Sequence, residues 1–146
     1  MDYMSDFSES LKELMLEKNL TYRALSKIIG ISISNIGRWI NREQFIYLSS
    51  ALKLADCFEC SLEFLFGRVD TRLNYIPRSC PPFYNRLKEI MQLQAITQYK
   101  LFIKDKIVTP SQFHQWKNGS DISYETLITL AKYFNCTLDY LVGREG

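Results

Sequence analysis

YRALSKIIGISISNIGRWI, residues 22–40, decides how this chain is read. Apolar residues recur here at helical spacing on both sides of Gly30, and two short helices joined through a Gly-centred turn define a helix-turn-helix. Thr21 is placed to cap a second helix running to about Ile29. Gly30 ends it, being a residue that tolerates positive φ, and Ser32 caps a third helix to about Ile40. Ser26 is small where the two helices cross. Leu25, Ile31 and Ile36 point inward and lock the pair. Ser32, Ile33, Ser34, Asn35, Gly37 and Arg38 are left on the outer face.

Outward from this segment, the spacing is helical almost throughout. Phe7, Leu11, Leu14 and Met15 give a first helix one apolar face, with Asp6 or Ser8 as its cap. A fourth helix is expected over roughly 45–58, with Leu48, Ala51, Leu52 and Ala55 on one side. Ser61 caps a short fifth helix ending near Gly67. The plan then repeats. CSLEFLFGR at 60–68 returns as CTLDYLVGR at 136–144, and LKELM at 11–15 as LKEIM at 87–91. That shift of 76 residues exceeds the roughly 20–50 residues of a solenoid unit and fits two copies of one small domain. Helices of the second copy are expected over about 82–94, 98–105, 110–117, 123–134 and 137–142. Between the copies, VDTRLNYIPRSCPP at 69–82 reads as a linker, because Pro77, Pro81 and Pro82 oppose helix. Its Leu73, Tyr75 and Ile76 suggest packing on a domain.

The first copy resembles the lambda-repressor-like (Cro-type, XRE family) helix-turn-helix regulators, and both halves carry that family's first, fourth and fifth helices. The expected fold is therefore all-α, with two tandem five-helix domains at 1–68 and 83–146 joined by the 69–82 linker. The resemblance implies double-stranded DNA as partner, for a repressor-like regulator of a bacterium, phage or mobile element. The start of the third helix would enter the major groove, so that Ser32, Ile33, Ser34, Asn35, Gly37 and Arg38 face base edges or nearby phosphates. Tyr22 and Arg23, with Asn41 and Arg42, would touch the DNA backbone. Arg38 suits guanine and Asn35 adenine. The competing reading makes Arg38 and Arg42 solvated surface charges.

The second copy departs from the pattern in QYKLFIKDKIVTPSQFHQWKNG, 98–119. Trp116 matches Trp39 at a shift of 77, so one residue has been added in the turn. Phe102 stands where a small residue is preferred, and Asp105-Lys106 replaces the turn glycine. Its outward DNA candidates are Ser111, Gln112, His114, Gln115, Lys117 and Asn118, with positive charge from Lys100, Lys104 and Lys106. The first copy, in turn, lacks a glycine after its third helix, having Asn41-Arg42-Glu43.

Composition narrows the class. With 47% hydrophobic and 23% charged residues the chain is ordinary globular material. The net charge of +2 conceals an asymmetry. Residues 1–70 carry eight Lys/Arg and ten Asp/Glu (8 − 10 = −2), and residues 71–146 ten and six (10 − 6 = +4). So modest an excess requires local patches to carry any nucleic-acid argument. No apolar run reaches the ~18 residues of a membrane span, and the N-terminus lacks a signal-peptide pattern, so a cytoplasmic protein is expected. Four cysteines then read as reduced thiols. Cys57 and Cys60 form a C-x-x-C pair near Cys80, but Cys60 and Cys136 fill equivalent apolar slots and read as small buried hydrophobes. His114, the single histidine, has no Ser, Cys or carboxylate constellation beside it, so no enzyme site, metal or cofactor is expected. Trp39 and Trp116 read as core rather than as ligand-stacking platforms.

Two function classes remain. One is a sequence-specific DNA-binding regulator. A dozen linker residues at ~3.3 Å each span at most ~40 Å. Half-sites one turn apart need about 34 Å, so a single chain can reach both. Because the family usually dimerises, a homodimer in which one copy reads DNA and the other pairs is the alternative arrangement. The other class is a protein-interaction module, antitoxin-like or antirepressor-like, motivated by the acidic balance of residues 1–70 and by Ile33 and Ile36. No sensing or self-cleavage domain is expected to follow.

Overall fold

A computed structural model describes residues 3–70 and 79–145. The chain divides into two compact units, residues 1–77 and 78–146. Among the described residues there are nine α-helices and one π-helix, five elements to each unit, and no strand. The all-α expectation is met. Most of the expected linker, including Leu73, Tyr75 and Ile76, lies outside the described residues.

In the first unit α1 (Tyr3–Glu17) packs on α3 (Ile33–Ile40) and α5 (Leu62–Leu65), and α2 (Tyr22–Ile29) packs on α3 and α4 (Leu48–Cys57). Phe7 lies at the centre, 5.2 Å from the Phe66 ring and 6.3 Å from Trp39, both buried. Burial of each such side chain contributes about 1.5–3 kcal/mol. Neither Asp6 nor Ser8 caps α1, which begins before them at Tyr3. Ser8 is fully buried instead, and its hydroxyl donates to the Ile40 carbonyl at 2.5 Å. It thereby satisfies one of the acceptors that the end of α3 leaves open. The α4 helix starts at Leu48, not Phe45, which is exposed. Its buried stripe is Leu48, Ala51, Leu54 and Ala55, with Leu52 half-buried.

The second unit repeats the plan with α6 (Phe83–Leu93), a π-helix (Lys100–Lys104), α7 (Pro110–Lys117), α8 (Tyr124–Phe134) and α9 (Leu138–Val142). The π-helix stands where α2 stands in the first unit. Its wider winding is seen in the Asp105 N–H to Lys100 carbonyl bond and the Ile107 N–H to Leu101 carbonyl bond, both 2.9 Å. Phe102 accordingly packs edge-on against Phe113, with ring centroids 5.2 Å apart, where Ser26 donates to the Ile31 carbonyl at 2.6 Å in the first unit. Gly30 is left-handed at φ 72°, and Lys106 takes the same conformation at φ 51°. Only Ile31 separates Gly30 from the cap Ser32, whereas Ile107 and Val108 separate Lys106 from the cap Thr109, so the extra residue lies in the turn. A side chain in this conformation is strained by roughly 1 kcal/mol or more. Lys106→Gly should raise the melting temperature of the second unit by about 4–8 °C per kcal/mol recovered. A thermal melt checks this, and no rise would show that the turn is relaxed around lysine.

The repeated nonapeptide forms the same device twice. Ser61 and Thr137 cap α5 and α9, each accepting a backbone N–H at 3.0 Å from Phe64 and Tyr140 respectively. Leu62, Leu65, Leu138 and Leu141 are fully buried. The acid one residue after the buried leucine meets the arginine five residues on. Glu63 pairs with Arg68 at 2.7 Å and Asp139 with Arg144 at 3.0 Å. The first helix of each unit also serves the last one: Ser10 donates to the Phe64 carbonyl at 3.1 Å, and Arg86 to the Tyr140 carbonyl at 2.7 Å. Different side chains thus add a donor to the same carbonyl, which already accepts the Gly67 or Gly143 backbone N–H.

Cys60 is fully buried, as its apolar slot required, but Cys136 is only half-buried. None of the four cysteines is in a disulfide, and burial pushes the Cys57 thiol above its ordinary range. Among the described residues no three His, Cys, Asp or Glu side chains gather as a metal site would need, and no helix is long and apolar enough to cross a membrane.

Candidate nucleic-acid interface

The α2–turn–α3 segment forms as its capping chemistry dictates. Thr21 accepts the Ala24 N–H at 3.1 Å and Ser32 the Asn35 N–H at 3.2 Å. Leu25 and Ile36 are fully buried and Ile29 nearly so, while Ile31 is half-buried. This packing fixes α3 on the body of the unit and leaves one side of it open. Ser32, Ile33, Ser34 and Arg38 are exposed, and Asn35 and Gly37 are half-buried. Tyr22 and Arg23, at the start of α2, and Asn41 and Arg42, just after α3, are exposed as well. Both expected contributions, from α3 and from its flanks, are therefore open in the first unit.

The charge of this segment is unlike that of its surroundings. Between Glu17 and Glu43 there is no acidic residue, whereas Lys18, Arg23, Lys27, Arg38 and Arg42 are all cationic. The first seventy residues are net acidic, yet the helix-turn-helix within them is a basic island of the kind that meets phosphate. Arg38 is held only loosely, with Nη1 3.4 Å from the Asn35 Oδ1 one turn back. Arg42 donates to the Ser5 hydroxyl at 3.3 Å.

Arg42 sits in the left-handed region, φ 61°, where the second unit has Gly119 at φ 91°. The first unit carries backbone strain at the arginine that follows α3. Arg42→Gly should therefore raise stability by about 1 kcal/mol while weakening binding to any duplex and reducing the salt slope by about 0.9. A melt and a salt titration of the same variant measure the two effects. Unchanged affinity at higher stability would remove Arg42 from the interface.

In the second unit α7 is opened by a capping box. Thr109 accepts the Gln112 N–H at 3.1 Å, and the Gln112 side chain accepts the Thr109 N–H at 3.0 Å. Gln112 is thereby half-buried and engaged in holding the helix start, not free to face outward. Ser111, His114, Gln115, Lys117 and Asn118 are exposed, with His114 Nε2 3.2 Å from Asn118 Nδ2. Phe113 and Trp116 are buried on the opposite side of α7.

Lys100 is half-buried and its charge is partly spent, because Nζ meets Asp105 Oδ2 at 2.9 Å. The Tyr133 hydroxyl donates to the same oxygen at 2.6 Å. These two donors, the tyrosine first, hold Asp105 below the usual carboxylate range, while burial and then Asp105 push Tyr133 up to about 12. Asp105 therefore favours folding above an ordinary carboxylate pKa of about 3.9, and that contribution is lost as pH falls through its lowered folded value. Tyr133 favours folding below about pH 10, and its contribution is lost as pH rises toward 12. The cluster ties the π-helix to α8 across neutral pH.

Sequence reasoning missed the ion pairs of the repeated nonapeptide. Their signal was present as an acid and an arginine five apart in both copies.

In each unit the helix after the turn has a solvent-open side with one exposed cation on it, Arg38 on α3 and Lys117 on α7, an arrangement suited to a DNA partner. A family model described as the Cro/C1-type helix-turn-helix DNA-binding domain matches residues 10–71 and again residues 86–145. The chain belongs to this family of DNA-binding regulators, with two tandem copies. No curated protein and no solved structure shows significant similarity to it.

Proposed function

We propose that the chain is a sequence-specific transcriptional regulator that reads the DNA major groove with α3 of its first unit. The observation that carries this is the acid-free segment between Glu17 and Glu43, which contains the open face of α3 and the exposed Arg23, Arg38 and Arg42. Ile33, Ser34, Asn35 and Arg38 serve the base edges. Arg23, Asn41, Arg42 and the hydroxyl of Tyr22 position the helix on phosphates. In the second unit Ser111, His114, Gln115, Lys117 and Asn118 are the corresponding groups. Lys117→Ala weakens binding only if α7 also meets DNA.

Selection from random duplex DNA, followed by binding across a salt series, tests the proposal. It expects enrichment of a defined site and a steep loss of affinity with salt. Binding without sequence preference, or without salt dependence, counts against it. A second reading, a protein-docking helix-turn-helix, draws on Ile33, which is 43% exposed. It expects a stoichiometric protein partner whose binding displaces DNA and buries Ile33.

A further inference from the structure

The face of α3 holds a feature that the fold does not use. Gly37 lies inside α3 and is not in the left-handed region. A Cβ placed there would meet only Tyr22 Cε2, at 3.9 Å, an ordinary contact. Alanine would fit, and a glycine inside a helix is less stable than alanine. Ile33 is one turn before Gly37 on the same face of the helix. Ile33 and Tyr22 are 43% and 39% exposed. The bare Cα of Gly37 thus leaves a methyl-sized niche against the Tyr22 ring, and Ile33 stands one turn before it on the helix.

Arg23 follows Tyr22, and Arg38 follows Gly37. An apolar protein segment seated here would strip water from both cations, whereas a polyanion would pair with them. The second unit has no such niche, since Gln98, Pro110 and His114 replace Tyr22, Ile33 and Gly37. On the major-groove edge of a base pair the apolar feature is the C5 methyl of a pyrimidine.

We infer that Tyr22, Ile33 and Gly37 form a receptor for a pyrimidine 5-methyl group in duplex DNA, that of thymine or 5-methylcytosine. This rests on the proposal that α3 reads DNA. The test starts from duplexes selected by the full chain. Each thymine in the selected site is replaced in turn by deoxyuridine, and cytosine and 5-methylcytosine are compared at the sensitive position.

Loss of one methyl should weaken binding roughly fourfold, the effect of exposing one methylene-sized apolar group. The ratio of affinities should fall to about one in Ile33→Ser, and also in Gly37→Ala, whose melting temperature should rise and so report an intact fold. Enrichment from unmodified DNA with a deoxyuridine penalty identifies thymine as the source. Enrichment confined to CpG-methylated DNA identifies 5-methylcytosine. A selected site with no methyl-sensitive position, or a penalty that persists in Ile33→Ser, overturns this inference alone. Failure to enrich any sequence overturns the DNA-reading proposal with it.

Discussion

Asp139→Ala will destabilise the second unit by about 3–5 kcal/mol, the cost of breaking a buried ion pair from one side. The Arg144 side chain is fully buried and that of Asp139 is 2% exposed, with 3.0 Å between guanidinium and carboxylate. Removing the carboxylate leaves a guanidinium charge that water cannot reach. A domain of some sixty residues has little stability to lose, so the variant is expected to be largely unfolded at physiological temperature. Glu63→Ala, at the equivalent place in the first unit, should cost less. Glu63 and Arg68 are 13% and 25% exposed, and water can reach the arginine left behind. Replacing both partners, Asp139→Leu with Arg144→Met, should recover much of the loss, because two apolar groups leave no stranded charge. Urea titrations followed through the amide resonances of each unit give the three values separately. Equal losses at Glu63 and Asp139 would show that burial does not set the strength of this device.

The second large effect concerns recognition. Arg38→Ala should cost about 1–3 kcal/mol of discrimination at a single base pair and leave the remaining preferences intact. Arg38 is exposed, and its side chain has only a long contact to Asn35 at 3.4 Å among the described residues, so its removal should change folding stability by no more than about 0.5 kcal/mol. Affinities for a selected site and its single-base variants would reveal the position, expected to be a guanine. Equal weakening against every sequence would instead place Arg38 on the phosphates, with Arg23 and Arg42.

How much of this was legible in the sequence varies with how local the physics is. The bounds of α2, α3 and α7 followed from Thr21, Gly30, Ser32 and the Thr109-Pro110 start, because a cap is a bond between neighbours. The start of α1 was misplaced, because Ser8 looks like a cap while its hydroxyl serves Ile40, thirty-two residues away. The start of α4 carried no local signal: its N-cap is Tyr47, which makes no side-chain cap bond. A π-turn of five residues is too short for apolar spacing to separate it from an α-turn. Gln112 was readable. Thr109-Pro110-Ser111-Gln112 has the spacing of a capping box, which accounts for its polarity without DNA. The strain at Arg42 and Lys106 could not be read, because nothing in the residue itself announces φ. At the candidate interface the outward residues of α3 were legible from periodicity. The room above Gly37 was not, because it depends on where the Tyr22 ring comes to rest.

The proposed regulator must meet the duplex with α3 of its first unit. Titrating a selected duplex into the isotope-labelled chain and following the backbone amides tests this most directly. The largest shifts are predicted at Tyr22, Arg23 and residues 32–42, and they should reverse as salt is raised. Shifts confined to other surfaces, with the amides of residues 33–42 unmoved at saturation, would contradict it.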